Sequence, residues 1–290
     1  MNRVLVCKYV RHSSVRPAAV YSNSFAMSGC GWLIPFYVGV ITAMKDRGVM
    51  NDLSSFGGTS SGSLGSLIAC CNIDPASAMQ LILQLSTNGS FNSDKNAGLK
   101  LVLDPLIDNK SFEESQNRLF VTMTKVWPNP KGVATIVSQF ASKQHLLDVV
   151  AASCFIPLYS APKLAVTVGN EKDLYVDGGV LAFMPPVGDI TISPFPRRFI
   201  YDLVPVIKPN PQTYRPACIY LNQKEYPLHR LLSWVLIPPS EKDMWGLYHS
   251  GVVAANRWMD ANEVLTTRHE IDLTPHLKLL EAVNFSLKSI

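Results

Sequence analysis

Acidic residues are missing from the first 45 positions of this 290-residue chain; Asp46 is the first. Four cations, Arg3, Lys8, Arg11 and Arg16, fall within residues 1–20, and setting them aside leaves the remainder neutral against a total of +4. Total charge therefore implies no electropositive groove, and without a recognisable nucleic-acid module no nucleic-acid partner is expected. The longest apolar run, residues 31–44, is shorter than the roughly 20 residues that span a bilayer. It reads as a buried helix. Charged residues make up only 17% of the chain, which argues against extended disorder, and there is no internal repeat or low-complexity tract. With 47% hydrophobic content, a sizeable core is expected.

The six cysteines, Cys7, Cys30, Cys70, Cys71, Cys154 and Cys218, show neither the C-x-x-C nor the Cys/His spacing of a metal site. No secretory signal precedes them, so they are expected to be reduced, in an intracellular rather than secreted protein. The basic, acid-free residues 1–20 have the composition of an organellar transit segment for a plastid or mitochondrion. A basic tail, or an extra strand over residues 4–10, is the alternative, and would leave the protein in the cytosol.

Along the rest of the chain, strand and helix patterns alternate. A short strand at residues 24–27 precedes a helix over 35–47. A strand at 53–56 leads to a helix over 61–72, with Gly62 and Gly65 on the face toward the sheet. A further helix over 75–85 ends in a polar loop at 86–96. Residues 119–126 and 132–139 form a strand pair around Pro128-Asn129-Pro130, and a helix over 142–153 has Ser142 as its N-cap. A last strand ends at Asp177. This alternation predicts an α/β fold, an open sheet with helices on both faces and a site at the carboxyl ends of its strands.

Gly58-Thr59-Ser60-Ser61-Gly62 supplies the chemistry. G-x-S-x-G between a strand and a helix makes Ser60 a candidate nucleophile. Glycine is needed on both sides because a Cβ there would strike the neighbouring backbone. The following helix turns its free amides toward the serine, which favours an oxyanion. Two more elements flank it. Ser28-Gly29-Cys30-Gly31 follows the first strand, where small residues can expose amides for an oxyanion hole. Val176-Asp177-Gly178-Gly179 places a carboxylate at a turn.

In this order, the three elements resemble the patatin-like phospholipase family. Ser28-Gly29-Cys30-Gly31-Trp32-Leu33 and Ile192-Ser193-Pro194-Phe195 are most similar to its adiponutrin-like branch. The resemblance is clear over residues 24–195 and loose over 245–260. Two departures stand out: Ile34 occupies the last position of the G-x-G-x-x-G loop, and the basic residue many members carry there is absent. The resemblance implies a three-layer αβα sandwich with a mostly parallel sheet over residues 21–290, its C-terminal portion, 225–290, helical. It implies a lipid acyl hydrolase of phospholipase A or triacylglycerol lipase type, acting through a Ser60–Asp177 dyad. Asp177 is expected to take the serine proton, and the amides of Gly29, Cys30 and Gly31 to hold the oxyanion. No metal or cofactor enters this scheme. The implied partners are a lipid ester (triacylglycerol, phospholipid or galactolipid) and the surface of a membrane or lipid droplet.

Two alternatives stand beside this. A Ser-His-Asp hydrolase would recruit a histidine downstream of Asp177, with His249, His269 and His276 in the required order. A lipid-binding scaffold would keep the fold without turnover. The apolar run Leu228, Leu231, Leu232, Trp234, Val235 and Leu236, which reads as core packing, could alternatively dock at a lipid interface.

Overall fold

A computed structural model describes residues 24–87, 94–129, 131–170, 172–196, 199, 219–222 and 225–262. The expected targeting segment or basic tail, the alternative strand at 4–10, and the candidate histidines His269 and His276 lie outside these residues.

Among the described residues seven strands form one sheet, ordered β4-β3-β2-β1-β6-β7, with β5 also paired to β3. They are β1 (Ser24–Met27), β2 (Ser55–Thr59), β3 (Leu119–Trp127), β4 (Val133–Val137), β5 (Leu174–Asp177), β6 (Ile190–Ser193) and β7 (Ile219–Tyr220). Pairing is parallel from β3 through β2, β1 and β6 to β7; β4 and β5 both run antiparallel to β3. Helices cover both faces, giving the expected sandwich. They are α1 (Ile34–Asp46), α2 (Ser61–Cys70), α3 (Pro75–Thr87), α4 (Lys95–Leu103), α5 (Asn109–Ser115), α6 (Lys143–Ser153), α7 (Leu228–Leu236) and α8 (Glu241–Ala261).

The central strands are buried on both faces, so β1 and β2 read as apolar or small runs without alternation. Phe25 and Phe56 pair in register across β1 and β2 with their rings stacked at 5.6 Å. α1 is buried from Ile34 to Met44 because it is enclosed between α2 and α8. This explains the longest apolar run without a membrane. No helix among the described residues is long and apolar enough to cross one.

Element ends depart modestly from expectation. β2 begins two residues later than predicted and runs to Thr59, directly into the elbow, while α2 stops at Cys70. α3 continues to Thr87, and α4 starts at Lys95, inside the expected polar loop, where Asp94 caps it by accepting from Ala97 N–H. Ser142 caps α6 as predicted, accepting from His145 N–H. Ile34 in place of the loop's last glycine is accommodated by a 3₁₀ turn, Gly31–Leu33, that precedes α1.

Ser60 and Asp177 both stand at the carboxyl ends of their strands, as expected, but the two strands arrive from opposite directions, β2 parallel and β5 antiparallel to β3. β2 pairs with β3 as far as Thr59 opposite Thr122, and β5 takes over the same edge with Asp177 opposite Met123. Two strands thus share one edge of β3 end to end. Their carboxyl ends face each other, which brings residues 117 positions apart in sequence into one place.

Candidate active site

Ser60 follows β2 and precedes α2 with φ 55° and ψ −132°. A non-glycine residue in that region is strained, and such strain persists only where its surroundings enforce it. Both glycines of the pentapeptide do so. A Cβ on Gly58 would strike Gly62 O and the backbone of Ser63; one on Gly62 would strike the carbonyls of Met27 and Ser28. α2 therefore lies against the end of β1 closely enough to force the turn.

The tail of α6 grips both reactive residues. Ser153 Oγ accepts from Ser60 N–H at 2.9 Å and donates to Thr122 O at 2.7 Å. Two residues on, Phe155 O accepts from Asp177 N–H at 2.7 Å. Ser153 carried no functional reading in the sequence. Its only signal is a hydroxyl ending an otherwise apolar run, Val149-Val150-Ala151-Ala152, where a buried polar group needs a partner.

Asp177 is 7% exposed. Burial raises its pKa from the ordinary 3.8 to about 6, against the opposing pull of the Ser60 hydroxyl and the Gly179 N–H. Gly179 N–H donates to Oδ1 at 2.7 Å, while Oδ2 has no hydrogen-bond partner. Ser60 Oγ thus stands near the carboxylate but short of a full hydrogen bond, as is common before a substrate tightens a site. Ser60 is half-buried and opens into a cleft.

The Gly-rich loop is close to the nucleophile, with Gly29 3.5 Å from Ser60 Cβ when given an ideal Cβ. Its amides are not all available as expected. Gly29 N–H donates to Phe183 O at 2.9 Å, and Cys30 N–H donates to Ser61 Oγ at 2.8 Å. The Gly31 N–H has no partner among the described residues, nor does the Ser61 N–H at the start of α2. The cause is local: Ser61 carries a hydroxyl that turns back onto the loop, also donating to Cys30 Sγ at 3.1 Å. Gly31 has φ +56°, and its Cβ would strike Val235 O, so α7 closes over the loop only because that residue is glycine.

Cysteine chemistry is absent from this centre. Burial pushes the Cys30 thiol up to about 12, and Cys154, half-buried beside Asp177, is raised as well by desolvation and by that carboxylate. Histidine is elsewhere too. His145 Nδ1 accepts from Ala141 N–H at 3.0 Å, and His249 is exposed on α8 against Tyr248. No histidine among the described residues lines the cleft. No group of three or more His, Cys, Asp or Glu among those residues could hold a metal ion.

The cleft has a volume of about 740 Å³ including its open mouth. Its walls are largely apolar, with Ile34, Leu64, Ile82, Leu85 and Leu99 leading into a second apolar pocket under α3 and α4 that shares all five. Trp32 and Tyr159 stand at its edge, joined by a 3.0 Å hydrogen bond from Nε1 to the phenol, which in turn donates to Leu236 O at 2.6 Å.

The patatin-like phospholipase profile matches residues 25–188, from β1 past Asp177, and thus takes in the Gly-rich loop, Ser60, Ser153 and Asp177. The chain belongs to the patatin-like phospholipase family. It is 27% identical over 271 residues to mouse 1-acylglycerol-3-phosphate O-acyltransferase Pnpla3, covering 86% of this chain and 61% of that protein. It is 28% identical over 248 residues to human patatin-like phospholipase domain-containing protein 4, covering 79% of this chain and 92% of the relative. Mouse omega-hydroxyceramide transacylase is 25% identical over 186 residues, covering 60% and 30%. The chain therefore spans about three fifths of the first of these proteins and under a third of the last.

Proposed function

We propose that this patatin-like protein cleaves lipid carboxylic esters through a Ser60–Asp177 dyad and an acyl-enzyme. The observation that carries this reading is a strained serine that opens on an apolar cleft, with a buried carboxylate beside it. Asp177, ionised above about pH 6, accepts the Ser60 proton on its unpartnered Oδ2. Oγ attacks the ester carbonyl, and the free amides of Gly31 and Ser61 stabilise the oxyanion. The proton passes to the departing alcohol. Water, activated by the same carboxylate, then releases the fatty acid; a lipid alcohol in its place would give acyl transfer.

The acyl chain lies along Leu64, Ile82 and Leu99, whose burial of methylenes favours it by about 0.8 kcal/mol each. Exposed Leu158, Leu236 and Ile237, gathered where Tyr159 meets Leu236, suit peripheral contact with a membrane or lipid droplet. The test is incubation of purified protein and its Ser60→Ala variant with a mixed panel of triacylglycerols, phospholipids and galactolipids, resolving the released fatty acids. Release by the wild type alone supports the proposal. Equal release by both, or none by folded wild type on any ester, refutes it.

A further inference from the structure

Among the residues lining the cleft, Lys95 is the one that carries a charge. Its ammonium lies 4.1 Å from the centroid of the Tyr159 ring and donates to Tyr159 O at 3.2 Å. Among the described residues no carboxylate pairs with it. The neighbouring Asp94 is occupied capping α4, and Asp148 pairs with Lys100. An ammonium has three donors, so two of those on Lys95 have no partner among the described residues. Lys95 is half-buried, and its surroundings are the indole of Trp32, the Tyr159 ring and the apolar wall. A cation held in such a place is weakly screened and interacts strongly with an incoming anion.

Ester and cation share a single cleft, with the acyl-suited wall deep and the lysine beside Tyr159, the residue that joins the cleft to α7 at its edge. A neutral glyceride offers this ammonium only uncharged oxygens, which bind it more weakly than an anion does. A phosphate on the glycerol accepts its two remaining protons while the acyl ester reaches Ser60. We infer that Lys95 reads a phosphate carried by the lipid substrate, so that the site prefers phosphate-bearing acylglycerols over neutral ones. This rests on the reading of Ser60 as the nucleophile for the orientation of the substrate, but the preference is measurable without turnover.

The experiment is calorimetric titration of the Ser60→Ala protein, below the micellar range, with 1-acylglycerol 3-phosphate and with the monoacylglycerol of the same chain. Hydrogen bonds to charged groups imply that the phosphate lipid binds about tenfold or more tightly, and that Lys95→Gln removes most of this ratio. Lys95→Arg retains it, and raising the salt concentration in the Lys95 protein erodes it. Equal affinity for the two lipids overturns the inference. So does a ratio that Lys95→Gln leaves unmoved, or an equal fall in both affinities, which would make Lys95 only a prop for Tyr159. Should Lys95→Gln fail to fold, the salt dependence decides: a preference insensitive to salt overturns the inference. A clear preference in a protein that hydrolyses nothing would sink the hydrolase reading and leave this one standing.

Discussion

Replacing Asp177 with asparagine tests the environment of the carboxylate independently of any substrate. Burial raises its pKa from 3.8 to about 6, roughly two units, and each unit corresponds to about 1.4 kcal/mol. The folded state therefore holds the Asp177 proton more tightly than the unfolded chain does. Wild type loses about 3 kcal/mol from this group as pH climbs from about 4 to above 6, and nothing further beyond. Asparagine carries no such penalty at any pH. Its Nδ2 would take the place of the unpartnered Oδ2, a buried donor costing about 1–3 kcal/mol at all pH values. The variant is thus expected to be less stable than wild type at pH 4 and to match or exceed it at pH 7.5. At about 2–4 °C per kcal/mol, the melting-temperature difference between variant and wild type should swing by roughly 5–10 °C in the variant's favour. Thermal denaturation of both proteins across pH 4–8 measures this directly. A difference that stays flat, or moves the other way, would refute a buried, destabilised carboxylate.

Ser61→Ala frees the Cys30 amide that the hydroxyl now occupies, so ester hydrolysis is expected to rise about two- to tenfold in kcat, the worth of one neutral hydrogen bond no longer competing with the oxyanion. Steady-state kinetics on a soluble ester checks it; an unchanged or lower kcat in folded variant contradicts the assignment of that amide. Ser153→Ala removes the group that holds Ser60 N–H to Thr122 O, and should lower kcat by at least tenfold with little change in KM. Ser153→Thr, which restores a hydroxyl, should recover part of that loss, whereas a merely structural role would shift stability and leave kcat alone. His145→Ala and His249→Ala should each retain most activity; a folded histidine variant as inactive as Ser60→Ala would replace the dyad with a triad.

The nucleophile elbow was legible in sequence because its requirements are local. Gly58 and Gly62 are demanded by atoms within a few residues or by the end of the adjacent strand, so the pentapeptide announces the turn. α1, α6 and the Ser142 cap were legible for the same reason, since apolar runs and caps act within one element. Asp177 was legible as a residue but not as a geometry. Strand alternation suggests parallel order, whereas β5 runs antiparallel because it completes the edge of β3 that β2 leaves at Thr59, a choice made by long-range pairing. The occupied amides of Gly29 and Cys30 depend on Phe183 and Ser61, one of them more than 150 positions away and the other known only by how its hydroxyl turns. Lys95 sat at the edge of what read as an exposed polar loop. Only the packing of α4 against α6 brings it to the cleft.

The dyad itself is tested most directly by labelling with a fluorophosphonate and mapping the modified peptide, with the labelling rate followed across pH 4–9. The account predicts a single adduct on Ser60, a rate that rises through an apparent pKa of about 6 as Asp177 ionises, and no adduct in Ser60→Ala. An adduct on another residue, equal labelling of Ser60→Ala, or a rate that does not change between pH 4 and pH 8 would contradict it.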